Sequence, residues 1–258
     1  MKTVALMIAL AASTAAGAYA QHIPQFPQGQ LEMQSRAQVV ANAGSWDILA
    51  ELYGKLYSPA APLSSFESVT VGTYYRLIPN LKVGALARLQ AGARHDDDVL
   101  ADIPSNDFVW ADTSGRLEGV LMLDASPRFQ LKFLPTGNWV FMLKNRLEYN
   151  TWNGQLSAMT RPELTWFWLR DRDPFLNLSF SWEVYFPLNF GSSIVYENYP
   201  YLTALWHATA QLGIELSAAY KTTVWSTSDS WVSASWGSYT TEQRSWVVSL
   251  GVVYTPSF

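Results

Sequence analysis

From Ser45 to the C-terminus, apolar and polar residues alternate with a period of two through one segment after another. Successive side chains of a strand point to opposite faces, so this period predicts strands with one apolar and one polar face. Trp46, Ile48, Ala50, Leu52 and Leu56 oppose Asp47, Glu51 and Lys55, and Leu117, Leu121 and Leu123 oppose Glu118, Met122 and Asp124. About ten segments carry the pattern, beginning near residues 45, 66, 81, 117, 139, 155, 176, 199, 212 and 246. Turn signals separate them at Pro79-Asn80, Pro135 to Asn138, Asn153-Gly154 and Arg170 to Pro174. Short connections largely alternate with the longer ones at 92–114, 191–198 and 226–243, as in an up-and-down meander; Asn153-Gly154 is a short turn on the long-loop side.

The final segment, Trp246 to Phe258, puts Trp246, Val248, Leu250, Val252, Tyr254 and Phe258 on one face. It resembles the closing strand of bacterial outer-membrane β-barrels. That resemblance implies that Tyr254 and Phe258 belong to the signal read by the barrel assembly machinery. The expected fold is all-β: a transmembrane antiparallel up-and-down barrel of about ten strands, an even number, with twelve allowed if a strand hides in a loop or in the N-terminal segment. Physics agrees, because in hydrocarbon every backbone polar group must pair within the protein, which leaves helices or closed barrels. The segments match the 9–11 residues that cross a bilayer as a tilted strand. Crowding of Leu, Trp, Phe and Val on one face, with charges and small residues on the other, favours a barrel over a soluble sandwich.

Residues 1–20 read as a secretory signal peptide, with basic Lys2, an apolar core and an Ala18-Tyr19-Ala20 cleavage site. Residues 21–43 read as a periplasmic lead, with Leu31 to Val40 forming a short helix or extending the first strand; residues 44–258 read as the barrel. The chain has no Cys, which removes a lipid anchor on Cys and a disulfide framework. Its formal net charge of −4 gives nucleic acid no electrostatic footprint. Twelve Trp and thirteen Tyr fit the aromatic girdles that flank a barrel's lipid-facing band. The expected partners are outer-membrane lipid and the assembly machinery, for a monomer without cofactor.

Candidate chemistry lies on the polar faces. Arg76, Arg88, Arg128, Arg146, Glu148, Arg161, Glu163, Glu183, Glu215 and Lys221 are expected to point into the lumen, with both signs interleaved. One reading is a network of ion pairs that fills a narrow barrel. The other is a slim passage in which Arg76, Arg88, Arg128, Arg146 and Arg161 form a basic track for anions. The stretches Lys144-Asn145-Arg146-Leu147-Glu148-Tyr149 and Arg161-Pro162-Glu163-Leu164 resemble strands of small porins specific for acidic oligosaccharides, and of an uncharacterised family of outer-membrane barrels. The resemblance implies a transport role centred on Arg146 and Arg161. Two rival classes remain. His95 with Asp96, Asp97 and Asp98 in a long loop allows divalent-cation binding or, by resemblance to omptins, water activation in a rim enzyme acting on lipid or peptide. The Trp231 and Trp236 loop, or the lead, allows docking within an envelope complex.

Overall fold

The computed structural model describes residues 30–57, 66–95, 98–102, 107–134, 138–191, 194–226 and 240–256. The expected leader, Phe258, Asp96, Asp97, Trp231 and Trp236 lie outside these. The regular elements are all strands: β1 (Gln30–Ala43), β2 (Trp46–Tyr57), β3 (Phe66–Ile78), β4 (Leu81–Ala91), β5 (Val99–Asp102), β6 (Asp107–Trp110), β7 (Leu117–Gln130), β8 (Trp139–Asn150), β9 (Leu156–Arg170), β10 (Asp173–Pro187), β11 (Glu197–His207), β12 (Leu212–Ser226) and β13 (Thr240–Tyr254). All but β5 and β6 form one closed barrel in the order β1-β13-β12-β11-β10-β9-β8-β7-β4-β3-β2.

The barrel has eleven strands, inside the expected range but odd. Ten of them, β2 to β13 without the β5–β6 hairpin, form the antiparallel meander that the sequence predicts. Between its first and last members lies β1, antiparallel to β2 and parallel to β13, with Leu31 opposite Trp246 and Val39 opposite Tyr254. The assignment of residues 21–43 to a periplasmic lead is therefore corrected for Gln30–Ala43, and no short helix forms there. Leu31, Met33 and Val39 point outward while Glu32, Gln34, Arg36 and Gln38 point inward, but Ser35, Ala37 and Ala41 make the outer face weakly apolar and mask the period.

Parallel closure places the two ends of the barrel chain apart. Short turns and Tyr254 share one end, here the basal end; the longer connections and Gln30 share the other, the loop end. The β9–β10 turn is a two-residue hairpin in which Asp171 (φ 54°) and Arg172 (φ 77°) both adopt left-handed conformations. Such a turn suits the strand twist but strains residues with a Cβ. Arg172→Gly is expected to stabilise the barrel by about 1 kcal/mol, read as a higher midpoint in reversible denaturant unfolding; an unchanged or lower midpoint contradicts this.

The faces follow the predicted alternation. Large side chains crowd the outside, with Leu123 62%, Leu202 64% and Leu250 58% exposed. Aromatic residues border this surface. At the basal end the Trp46 and Tyr75 rings meet at a tilt (4.8 Å), and Trp139, Trp166, Trp168 and Phe175 form a chain; nearer the loop end Tyr220 meets Trp246 (4.9 Å). Inside, Leu49, Leu86, Val120 and Met122 form an apolar cluster against the β2–β7 wall, with Val40 and Tyr74 packed on it. The rest of the interior mixes charged and polar side chains with further apolar ones such as Met142, Met159, Phe167 and Val247.

Candidate functional site

The interior holds a cavity of about 900 Å³ that reaches from Arg94, His95 and Trp225 near the loop end to Arg128 and Phe167 near the basal end. A second cavity of about 580 Å³ at the basal mouth shares Lys82, Ser126, Arg128, Val140, Met142 and Phe167 with it. Together they follow the barrel axis.

Ion pairs line this passage. Arg146 donates through Nε to Asp124 (2.6 Å) and lies 3.3 Å from Glu148; Arg88 reaches the other Glu148 oxygen at 3.0 Å. Lys144 is 3.3 Å from Asp124. The Tyr74 hydroxyl donates to Asp124 (2.6 Å), which is possible because Gly84, paired with Asp124, has no Cβ to block the Tyr74 ring lying across it. Arg161 is 3.6 Å from Glu163, 3.5 Å from Glu183 and 3.1 Å from the Tyr201 hydroxyl. Tyr185 and Tyr199 also donate to Glu183 (2.9 and 2.8 Å). Lys221 meets Glu32 at 2.6 Å, Arg36 bridges Glu215 and Glu51, and Lys82 pairs with Asp47.

The structure thus brings Arg88, Arg146, Glu148, Arg161, Glu163, Glu183, Glu215 and Lys221 into the lumen as expected. Arg128 lies at the basal mouth, and Arg76 lines the basal cavity but not the main lumen. Tyr254 faces outward at the basal end of β13. The basic track is not bare: each of Arg88, Arg146 and Arg161 has a carboxylate behind it. Several lumen groups are not legible in the sequence pattern. Glu32 and Arg36 lie on the unrecognised β1, and Glu197 sits in what reads as a loop. Tyr185 turns inward on the face it shares by alternation with Glu183; Tyr199 and Tyr201 also turn inward, and their hydroxyls, which need buried partners, were the available signal.

Near the loop end, Gly92 (φ 75°) turns the chain inward after β4, so Ala93 is buried and Arg94 and His95 line the lumen. A latch holds this segment. His95 Nε2 lies 2.9 Å from Glu118 and its ring stacks on Trp152 (5.6 Å); Arg116 joins Glu118 (2.6 Å) to Asp98 (2.6 Å) and covers Trp152 at 4.3 Å. Burial opposes the Arg116 charge, but the carboxylates of Asp98 and Glu118 outweigh it and raise its pKa above the ordinary value. Asp98 is engaged by Arg116 and by the His95 backbone N–H (2.7 Å), while the His95 ring pairs with Glu118 instead of Asp98, so both residues brace the mouth. Among the described residues no group of three or more His, Cys, Asp or Glu side chains is arranged to hold a metal ion. The same segment contains the β5–β6 hairpin, hidden in a stretch that reads as polar loop.

No protein-family model matches the chain, and no curated protein aligns with it significantly.

Proposed function

We propose that this barrel spans the bacterial outer membrane, basal end toward the periplasm, and acts as a narrow passive channel that favours small anionic solutes. The membrane reading is supported by the continuous exposed apolar belt bordered by aromatic residues, a surface far beyond what water tolerates on a monomer.

One observation carries the selectivity. In the lumen ion pairs the cation is, with one tie, the partner exposed to the passage: Arg36 27% against Glu215 14%, Lys82 35% against Asp47 8%, Arg88 22% against Glu148 9%, Arg161 20% against Glu183 7%. The tie is Arg161 with Glu163, at 20% each. Long Lys and Arg stems reach past the shorter carboxylates, which stay against the wall. A passing solute therefore meets a basic surface with acidic backing. The resemblance to porins for acidic oligosaccharides points the same way.

Planar bilayers containing the refolded barrel, under a tenfold KCl gradient, should give steady currents with a reversal potential of anionic sign. Replacing Arg88 and Arg161 together by Gln should move that potential severalfold toward zero. Cation selectivity would contradict the proposal. Silence from an inserted barrel would instead support a sealed structural or surface barrel, which the apolar cluster and the inward mouth segment favour.

A further inference from the structure

A strand wall in hydrocarbon tolerates proline poorly. Proline has no N–H, so one ladder bond is lost and the carbonyl opposite has no water to replace it. Yet Pro127 in β7, Pro162 in β9 and Pro200 in β11 all sit within strands, on the outward face. All three fall on one register row, which runs Pro127, Leu143, Pro162, Trp182, Pro200, Tyr220 across six neighbouring strands.

Pairing is continuous on one side of each proline and lapses on the other. Leu143–Pro162 and Trp182–Pro200 are paired. The β7–β8 register instead skips from Ala125–Asn145 to Arg128–Met142, the β9–β10 register from Ser181–Glu163 to Val184–Thr160, and the β11–β12 register from Asn198–Thr222 to Tyr201–Ala219. Alternate seams of the wall are weakened on a single row.

The β9–β10 seam is marked on both surfaces. Outside, both strands of the seam carry hydrogen-bonding side chains tied to their other neighbours: Thr160 of β9 donates to Asn145 of β8 (3.0 Å), and the Trp182 indole N–H of β10 donates to Asn198 of β11, while across the seam itself Thr160 faces Val184. Inside, the skipped pair is Arg161–Glu183, and Arg161 Nε is buried without a hydrogen-bond partner. A cation thus stands behind an interrupted ladder that has hydrogen-bonding groups on its lipid side.

We propose that the β9–β10 seam at Pro162 and Trp182 is a lateral portal between lumen and bilayer, and that it admits single-chain anionic amphiphiles with the head toward Arg161 and the chain in the lipid. The proposal rests on the membrane reading above. The lapse spans two residue pairs, about 7 Å along the strand, which suits one alkyl chain and not a two-chain lipid. The anionic head follows from the exposure of Arg161 ahead of Glu183.

The test uses the barrel in phosphatidylcholine nanodiscs with a sixteen-carbon fatty acid carrying a diazirine beside the carboxylate, and adducts mapped by peptide mass spectrometry. Adducts should concentrate on Tyr199, Tyr201 and the Trp182 segment. Pro162→Val, which restores the N–H, should lower the Tyr199 and Tyr201 adducts at least fivefold while chloride conductance is kept. Labelling of the wild-type lumen that Pro162→Val leaves unchanged would mean entry through the mouths and would overturn the portal, as would even labelling around the belt. A trimethylammonium analogue of the same chain, tried on the wild type, should show no enrichment; equal enrichment would overturn the anionic specificity even if the variant failed to fold. Absence of both conductance and belt labelling would instead remove the membrane reading, and the portal with it.

Discussion

Replacing Asp124 by Ala is expected to cost about 3–5 kcal/mol of stability, the range for removing one partner of a buried ion pair. The Asp124 side chain is fully shielded (0%) and is shared by Arg146, Lys144 and the Tyr74 hydroxyl. Lys144 and Arg146 lie two residues apart on the same strand face, so loss of the carboxylate leaves two like charges together in a low-dielectric wall. Urea unfolding of the refolded barrel measures the effect. A loss below about 1 kcal/mol would mean that lumen water solvates both cations, contrary to this account. The same variant removes acidic backing from the passage and should shift the reversal potential further in the anionic direction.

Glu32→Ala should be comparably damaging, again about 3–5 kcal/mol, because it removes a fully shielded carboxylate 2.6 Å from Lys221, which is itself only 9% exposed. The effect should begin in β1, whose outer face is weakly apolar and whose side-chain anchors to other strands are internal: Glu32 to Lys221, Arg36 to Glu215, Gln38 to Glu51. Amide exchange in β1 should therefore accelerate before that of β7–β10; uniform acceleration would show that the closing strand is not held separately. The parallel β1–β13 pair also makes a topological prediction. On the membrane orientation proposed above, Cys in place of Gln30 should react in intact cells with an impermeant maleimide from outside, while Cys in place of Thr255 should not. Equal reactivity of both from one side would refute parallel closure.

Much of the wall is legible in the amino-acid sequence. Period-two alternation places Leu81–Ala91 and most other strand cores, and with them the faces of Arg88, Arg146, Arg161 and Glu183, because a strand sends side chains to opposite sides whatever its neighbours. The failures have equally local causes. Small outward residues flatten the alternation of β1. The hairpin β5–β6, four residues per strand, is too short for a period to show. Tyr199 and Tyr201 flank Pro200, so a strand-breaking residue and two aromatics give a misleading sense of face.

What the sequence determined by itself is the kind of wall: a closed strand surface with an apolar outside and a charged inside, since burial preference acts residue by residue along a fixed period. Tertiary structure alone decided how that wall closes and what its inside presents. Parallel insertion of β1 depends on pairing across more than two hundred residues of chain, with Gln30 opposite Ser245. Which member of each ion pair faces the passage, and the alignment of Pro127, Pro162 and Pro200 on one row, depend on register between strands distant in sequence. Register arises from the joint packing of every neighbouring strand, and no single segment encodes it.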